Sequence, residues 1–160
     1  MLDDIQKKYI KKESNFGAEN YKPLPVVLSK AKGVWAWDVN DNKYLDMMSG
    51  YSAISHGHAH PELLKVFHEQ SAKLSLTSRA FYTDQLGPYL ETITSMSNFE
   101  MALPMNAGAE AVETAIKAAR RWAYRKKKVE KNKAEIIDAS GNFHGRTTTI
   151  ISFSGDENSK

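Results

Sequence analysis

Residues 106–109, with the sequence Asn-Ala-Gly-Ala, could form an anion site because a helical pattern begins directly after them. The first turn of a helix leaves backbone N–H groups without intrahelical partners, and small residues let a phosphate approach them. The attraction at a helix N-terminus is about 0.3–2 kcal/mol, so the turn would orient a phosphate and could not hold it alone. The alternative is a turn whose small residues only allow a helix and a sheet to pack closely. A lone Gly-Ala turn does not separate the two.

A second turn, Ser-Gly-Asn-Phe-His-Gly-Arg, spans residues 140–146. Each turn follows a short apolar run, residues 101–105 before the first and residues 134–139 before the second. Strand, helix and strand in this order predict a βαβ unit, a parallel sheet and an α/β fold. Ligands of parallel sheets bind beyond the carboxyl ends of the strands, where both turns would lie. The two turns are therefore predicted to converge on one site.

The rest of the chain supplies the elements around these turns. Residues 34–39 and 43–47 flank Asn-Asp-Asn and predict a β-hairpin. The small and polar residues 49–60 predict a loop, and residues 2–12 could form a short polar helix with little amphipathic pattern. Apolar spacing predicts helices over residues 61–74, 86–97 and from Ala111 to about Arg125. Residues 147–153, Thr-Thr-Thr-Ile-Ile-Ser-Phe, have strand propensity because most of them are β-branched.

Composition limits the classes of function. With 160 residues, 41% of them hydrophobic and 26% charged, the chain could bury a substantial core. The absence of cysteine excludes disulfides, thiolate metal sites and a cysteine nucleophile. Net charge is only +3, and the basic residues 125–128 are typical of a solvated helix end, with a nucleic-acid patch as the alternative. Neither a membrane-spanning run nor a targeting signal is recognisable, so we expect a cytoplasmic protein with no membrane partner.

Three histidines at alternate positions, His56, His58 and His60, are the candidate metal ligands. Alternate side chains of an extended segment project to the same side, which suits a metal ion. No acidic or cysteine ligand accompanies them in this segment. We therefore expect no metal site here.

Five segments together resemble the class III aminotransferases, which depend on pyridoxal 5'-phosphate (PLP), and within them the branch that acts on ornithine. They are residues 16–25, 51–61, 76–82, 106–111 and 141–146. The resemblance implies the N-terminal part of a fold type I PLP-dependent transferase. An N-terminal segment with the hairpin would occupy residues 1–50, and residues 51–160 would begin the large, mainly parallel-sheet PLP domain. It also places residues 147–153 in a helix, and we follow it there against their propensity.

The resemblance implies cofactor roles for Gly108, Ala109 and Phe143. The first two match backbone donors to the cofactor phosphate, and Phe143 matches the aromatic residue stacked on the pyridine ring. Such stacking is worth about 0.5–1.5 kcal/mol beyond burial. Ala107 stands where the family often has Ser or Thr, so one side-chain contact to the phosphate would be missing. By itself, Phe143 would be read as a core residue.

Substrate roles are implied for Arg146, Tyr21 and Tyr51. Arg146 matches the guanidinium that binds the substrate α-carboxylate, and its planar fork suits a carboxylate bidentately. The two tyrosines match residues that line the substrate pocket near the α-amino and α-carboxylate groups. Without the resemblance, Arg146 would be a surface residue and the tyrosines core or interface residues.

The implied activity is transfer of the δ-amino group of L-ornithine to 2-oxoglutarate, giving glutamate 5-semialdehyde and glutamate. The implied assembly is a homodimer with the active site at its interface. The Schiff-base lysine and the acidic partner of the pyridine nitrogen are expected downstream of residue 160. No catalytic residue is therefore expected in this chain, which we interpret as an N-terminal fragment that is inactive alone.

Alternative functions stay open. Within the family they are acetylornithine and 4-aminobutyrate aminotransferases. Outside it, the Gly-Ala turn could serve a phosphate- or nucleotide-binding module, although neither the G-x-x-x-x-G-K-[ST] loop nor the G-x-G-x-x-G fingerprint is present. A nucleic-acid-binding protein would use the basic residues 125–128, which lack interleaved aromatic residues.

Overall fold

The computed structural model describes residues 3–155, whose contacts divide into two compact units. The first unit ends at Phe81 and the second begins at Tyr82. The boundary between residues 50 and 51, which follows the domains of the resembled family, stays a prediction. No helix in the described part of the chain is long and apolar enough to cross a membrane. The cytoplasmic location also stays a prediction.

The first unit contains three strands and three helices. They are α1 (Asp4–Phe16), β1 (Leu28–Lys32), β2 (Trp35–Asp38), β3 (Lys43–Leu45), α2 (Ser49–Ser52) and α3 (Pro61–Lys73). The strands form an antiparallel sheet in the order β1-β2-β3. The predicted hairpin is confirmed as β2 and β3, with Ala36 paired to Tyr44. For α1, Asp3 caps the helix by accepting the N–H of Gln6 at 2.9 Å, and the predicted start at Leu2 lies outside the described residues.

Strand β1 was not predicted, because Leu-Ser-Lys-Ala-Lys shows no apolar alternation and four of its five residues are exposed. Lys32 pairs with Trp35, which leaves a two-residue connection from β1 to β2. Gly33 opens this connection with φ +58, a value that glycine adopts without steric cost. Glycine at the first position of a two-residue hairpin loop is the signal that could have revealed β1.

Asp38 forms the polar centre of the sheet. Its side chain is fully buried and accepts hydrogen bonds from Tyr44 Oη at 2.8 Å, Asn42 Nδ2 at 2.9 Å and Gln6 Nε2 at 3.3 Å. The backbone N–H groups of Asn40 and Asn42 also donate to it, at 2.9 and 3.0 Å. Burial alone would raise the pKa of Asp38, but the hydrogen bonds from Asn42, Tyr44 and Asn40 outweigh burial and hold the pKa below its usual value. The ionised carboxylate therefore fixes the β2–β3 turn and ties it to α1.

The second unit contains three helices: α4 (Leu86–Ser97), α5 (Gly108–Arg125) and α6 (Thr148–Ile151). Helix α4 ends where Asn98 adopts a left-handed conformation, φ 57 and ψ 28. Helix α5 confirms the predicted helix after residues 106–109. Helix α6 confirms the family-based expectation and overrides the strand propensity of its Thr and Ile residues, because Ile150 is fully buried in this conformation.

The predicted βαβ pair is wrong for the described residues. Residues 101–105 and 134–139 are not strands, and the sheet consists of β1, β2 and β3. A strand exists through hydrogen bonds to a neighbour, and the apolar side chains of both runs are open, with Met101 86% and Ile137 97% exposed. The expectation of a substantial core is also wrong, since Ala36 and Ile150 are the buried hydrophobic residues among those described. Local polar networks and close packing therefore set the geometry of the candidate site.

Candidate cofactor and substrate site

The N-terminus of α5 presents backbone donors to open space. Ala107, the residue before the helix, is extended (φ −142, ψ 159), and its methyl side chain cannot cap the helix by a hydrogen bond. The first N–H groups of α5 therefore have no capping partner from this residue. A Cβ built on Gly108 would meet no atom within 4 Å. The backbone of Asn106 is held by the Glu110 carboxylate, which accepts its N–H at 2.9 Å.

Gly145 packs the second turn directly against the first turn of α5. Its φ is +118, and an added Cβ would lie 2.9 Å from Ala109 Cβ and 3.4 Å from Ile150 Cδ1. Real Cβ atoms essentially never approach that closely, so both backbone angle and space require glycine. Two residues on, Thr147 Oγ1 donates to Glu113 Oε1 of α5 at 2.5 Å. The two turns that were predicted to converge do lie against each other, although residues 3–155 contain no parallel strands that carry them.

Phe143 and Arg146 lie together in this second turn. The Arg146 guanidinium carbon is 5.1 Å from the centroid of the Phe143 ring, and Phe143 is 66% exposed. Such a cation–π contact is worth about 0.5–1 kcal/mol at an exposed site. Asn142 fixes the start of the turn, because its Nδ2 donates to Asp138 Oδ2 at 2.8 Å and to the Ala139 carbonyl at 2.7 Å. An exposed aromatic face and a cation thus stand in the loop that contacts α5.

Tyr21 and Tyr51 meet within the first unit. Their hydroxyl oxygens are 3.0 Å apart, and the side chains are 66% and 77% exposed. Either hydroxyl can donate to the other, because a phenolic hydroxyl is both a donor and an acceptor. Apart from the family resemblance, no sequence pattern predicts that these residues, thirty positions apart, share a hydrogen bond.

Tyr51 projects from a backbone turn of unusual conformation. The predicted loop 49–60 contains α2, a single turn in which Ser49, Gly50, Tyr51 and Ser52 all have positive φ, at 50, 55, 57 and 69°. A left-handed conformation costs roughly 1–2 kcal/mol for each residue other than glycine. Three such residues within four positions persist only when the surroundings enforce the conformation.

Asp46 supplies part of that enforcement. Its carboxylate accepts the backbone N–H groups of Met48 and Ser49, each at 2.9 Å, and lies 2.7 Å from His58 Nε2. Hydrogen bonds from Ser49 N–H first, then from His58 and Met48 N–H, hold the pKa of Asp46 below its usual value. The carboxylate is therefore ionised near neutral pH, where it accepts all three hydrogen bonds.

Of the three candidate metal ligands, His58 is held by a carboxylate, that of Asp46. Besides its contact with Asp46, its backbone forms an isolated antiparallel bridge to Gly33, with both N···O distances 2.8 Å. His56 and His60 lie with ring centroids 6.2 Å apart. Across residues 3–155, no group of three or more His, Cys, Asp or Glu residues could hold a metal ion.

Sequence reasoning missed Asp46, Asn142 and Gly145. Asp46 is followed by two residues and then Ser49, a spacing in which a carboxylate commonly accepts nearby backbone N–H groups. Gly145 stood inside a recognised segment, but the close approach of Ala109 that requires it is a contact between distant parts of the chain. The predicted roles of Gly108, Ala109, Phe143, Arg146, Tyr21 and Tyr51 stay proposals.

Known proteins share this chain's sequence pattern. The family profile described as Aminotransferase class-III matches residues 16–160, and the chain belongs to that family. The ornithine aminotransferase of Brevibacillus brevis is 58% identical over 148 residues, which are 92% of this chain and 37% of that protein. The chain thus spans less than two fifths of the length of the curated relatives it matches. The resemblance carried by the five segments is confirmed.

Solved structures show the same fold. The ornithine aminotransferase of Toxoplasma gondii, whose active site contains PLP at partial occupancy, superposes with a TM-score of 0.93 at 38% identity, over 96% of this chain and 36% of that chain. Acetylornithine aminotransferase from Elizabethkingia anophelis gives a TM-score of 0.82 at 52% identity, over 96% and 38% of the two chains. The chain therefore has the mixed α/β fold of the N-terminal part of a fold type I aminotransferase. Class III aminotransferases are PLP-dependent.

Proposed function

We propose that the whole protein is a PLP-dependent ornithine aminotransferase. It transfers the δ-amino group of L-ornithine to 2-oxoglutarate and produces glutamate 5-semialdehyde and glutamate. The observation that carries this proposal is the packing of Gly145 on Ala109, which places Phe143 and Arg146 in a loop beside the N-terminus of α5. Similarity to ornithine aminotransferases over 92% and 96% of this chain supports the choice of substrate.

The residues present fit a phosphorylated aromatic cofactor. At Gly108, backbone N–H donors face space that a Cβ would enter, which suits a phosphate at a helix N-terminus. The exposed ring of Phe143 offers a flat surface for a pyridine ring. We propose that Gly108 and Ala109 donate to the phosphate and that Phe143 stacks on the ring. When bound, PLP supplies the electrophilic carbonyl and the electron-withdrawing ring that amino-group transfer needs.

Ornithine carries two amino groups, so the protein must bind the α-end and leave the δ-amine free. We propose that the Arg146 guanidinium binds the α-carboxylate, for which a planar donor pair is suited. We propose that the Tyr21 and Tyr51 hydroxyls contact the α-groups, because a phenolic hydroxyl can donate to a carboxylate oxygen and accept from an ammonium group. These contacts would orient the substrate before any chemistry occurs.

Acetylornithine aminotransferase is the second candidate, because the Elizabethkingia anophelis enzyme of that name is 52% identical over 96% of this chain. The two substrates differ at the α-nitrogen, which is a charged ammonium in ornithine and a neutral amide in acetylornithine. Tyrosine hydroxyls that accept from an ammonium favour the charged group. On the family resemblance we also propose a homodimer, and a large cofactor domain that begins near residue 51.

The test is an assay of the purified full-length protein with PLP and 2-oxoglutarate. We expect glutamate and a semialdehyde from L-ornithine, with kcat/KM at least about tenfold above that for N-acetylornithine or 4-aminobutyrate. A preference for N-acetylornithine would select the second candidate. Failure to bind PLP, observed as no visible absorption band, would reject the aminotransferase proposal. Light scattering of the same sample measures whether the protein is a dimer.

A further inference from the structure

We propose that Asp46 and His58 form a clamp that positions Tyr51 for the α-end of the substrate. Both are positioning residues, since they act through Tyr51. The inference rests on the proposed function, because it assumes that Tyr51 contacts the substrate. It adds that this clamp determines how well the protein distinguishes ornithine from amines that lack the α-amino and α-carboxylate groups.

The clamp acts on the backbone that carries Tyr51. Asp46 accepts the N–H groups of Met48, directly before the left-handed turn, and of Ser49, the first residue of that turn, so it sets the direction in which the turn begins. Four consecutive positive φ values, three of them at residues other than glycine, oppose the ordinary right-handed preference. Without the acceptor, the two N–H groups lose the partner that fixes them, and the turn is free to relax.

His58 closes the same loop from its other end and is itself fixed to the sheet. Its backbone exchanges two 2.8 Å hydrogen bonds with Gly33 in the β1–β2 connection. Gly57, with φ +82, lies so close that an added Cβ would be 3.1 Å from Gly33 Cα. Asp46 is also tied to this connection, because its N–H donates to the Val34 carbonyl at 2.9 Å. Both members of the clamp are thus hydrogen-bonded to the β1–β2 connection of the antiparallel sheet.

The position of Tyr51 matters because its hydroxyl lies 3.0 Å from that of Tyr21. A hydrogen bond of this length breaks when either oxygen moves by about one ångström. Loss of the clamp would therefore separate the two hydroxyls and remove a paired contact to the α-end of ornithine. The cofactor donors Gly108 and Ala109 are held by other contacts, through Glu110 and Gly145, so cofactor binding should not change with the clamp.

The experiment uses the full-length holoenzyme and the variant Asp46→Ala. We expect kcat/KM for L-ornithine to fall about tenfold or more, mainly through KM, because an orienting contact is lost. Single-turnover reaction with 1,4-diaminobutane, which has a terminal amine but no α-carboxylate, should change by less than about twofold. The PLP absorption spectrum should be unchanged.

A matched control is Asp41→Asn. Asp41 is an exposed acid in the β2–β3 turn that pairs with Lys30 at 2.5 Å, and it makes no contact with the clamp in the described structure. We expect this variant to keep the parent ratio of activities on the two amines. Asp46→Asn should retain part of the ornithine preference, because the amide oxygen can still accept the N–H groups of Met48 and Ser49.

A double-variant cycle tests the route through Tyr51. In a Tyr51→Phe background, Asp46→Ala should cause little further selective loss, because the hydroxyl that the clamp positions is already absent. Fully additive losses, or equal losses for both amines in any soluble Asp46 or His58 variant, would overturn the inference. If Asp46→Ala is insoluble, Asp46→Asn and His58→Gln decide it, and an unchanged ratio in both rejects it. Absence of ornithine turnover by the unaltered protein is a different result, which rejects the proposed function and the inference together.

Discussion

The turn that begins α5 is positioned by packing, whereas the turn that carries Tyr51 is positioned by hydrogen bonds. At the first, Gly145 approaches Ala109 so closely that no further atom fits. At the second, the Asp46 carboxylate accepts three hydrogen bonds, and the backbone adopts angles that cost free energy. Packing without spare volume should fail with one added methyl group, whereas a network around a carboxylate should respond to charge and protonation.

The largest effect is expected at Gly145. Gly145→Ala adds a methyl group against Ala109 at a backbone angle that L residues rarely adopt. We expect the free energy of unfolding to fall by about 2–4 kcal/mol and PLP binding to weaken, because the second turn must move from α5. Denaturant titration of the full-length protein measures the change. Gly87→Ala is the control, since a Cβ there meets nothing within 4 Å, and its effect should stay within about 1 kcal/mol.

Arg146→Lys comes next, and it separates positioning of the loop from its chemistry. The lysine keeps the charge but loses the planar fork, and loss of a charge-assisted hydrogen bond costs about 1.5–3 kcal/mol. We expect kcat/KM for ornithine to fall roughly ten- to a hundredfold, with a much smaller change for an amine without the α-carboxylate. Equal losses for both substrates would mean that Arg146 supports folding or cofactor binding instead. Arg125→Lys, at the end of α5, should leave both values unchanged.

A smaller effect is expected at Phe143. Removing the ring in Phe143→Ala should weaken PLP binding by about two- to tenfold, the equivalent of a stacking contact of about 0.5–1.5 kcal/mol. The absorption maximum of the bound cofactor should also shift. Phe99→Ala serves as the control, because Phe99 lies in the same unit and is similarly exposed, at 69% against 66%. If spectrum and affinity match the parent in both variants, the stacking role is wrong.

The smallest effect at neutral pH concerns the hydrogen-bonded region. The pKa of Asp38 is lower in the folded protein than its ordinary value, so its contribution to stability is present above about pH 4 and lost as the pH falls through the folded pKa. We expect the Tm of the full-length protein to decrease more steeply below pH 4 than that of Asp38→Asn, which is less stable at pH 7 but has no such proton to gain. A parallel decline of both proteins would contradict the role of Asp38. Trp35 and Trp37, which flank Ala36 in β2, provide the fluorescence signal.

Much of the local structure could be predicted from the sequence because its signals are local. The β2–β3 hairpin follows from apolar residues around Asn-Asp-Asn, and α5 follows from apolar spacing after residues 106–109. Strand β1 was not predicted because its sequence, Leu-Ser-Lys-Ala-Lys, has no strand pattern. Its hydrogen bonds to β2, not its composition, make it a strand. The prediction of parallel strands at residues 101–105 and 134–139 was wrong because an apolar run forms a strand only when a neighbouring strand hydrogen-bonds to it.

The site was predictable to the extent that single residue types reveal function. Gly108 follows from the chemistry of helix N-termini, whereas Phe143, Arg146, Tyr21 and Tyr51 came from the family resemblance alone. Asp46 could not be distinguished from the other acidic residues of the chain, because its role depends on His58 and on a left-handed turn that no sequence pattern predicts. Residues that position other residues thus depend on three-dimensional contacts.

The most direct test of the proposed cofactor seat is the affinity of the full-length apoprotein for PLP and for pyridoxal, which lacks the phosphate. Gly108→Val should fill the open space at the start of α5 and hinder the phosphate alone. We expect the affinity for PLP to fall by about tenfold or more and the affinity for pyridoxal to stay within about twofold, so that the preference for the phosphorylated form largely disappears. An unchanged preference in a folded Gly108→Val protein would contradict the assignment of the phosphate to the N-terminus of α5.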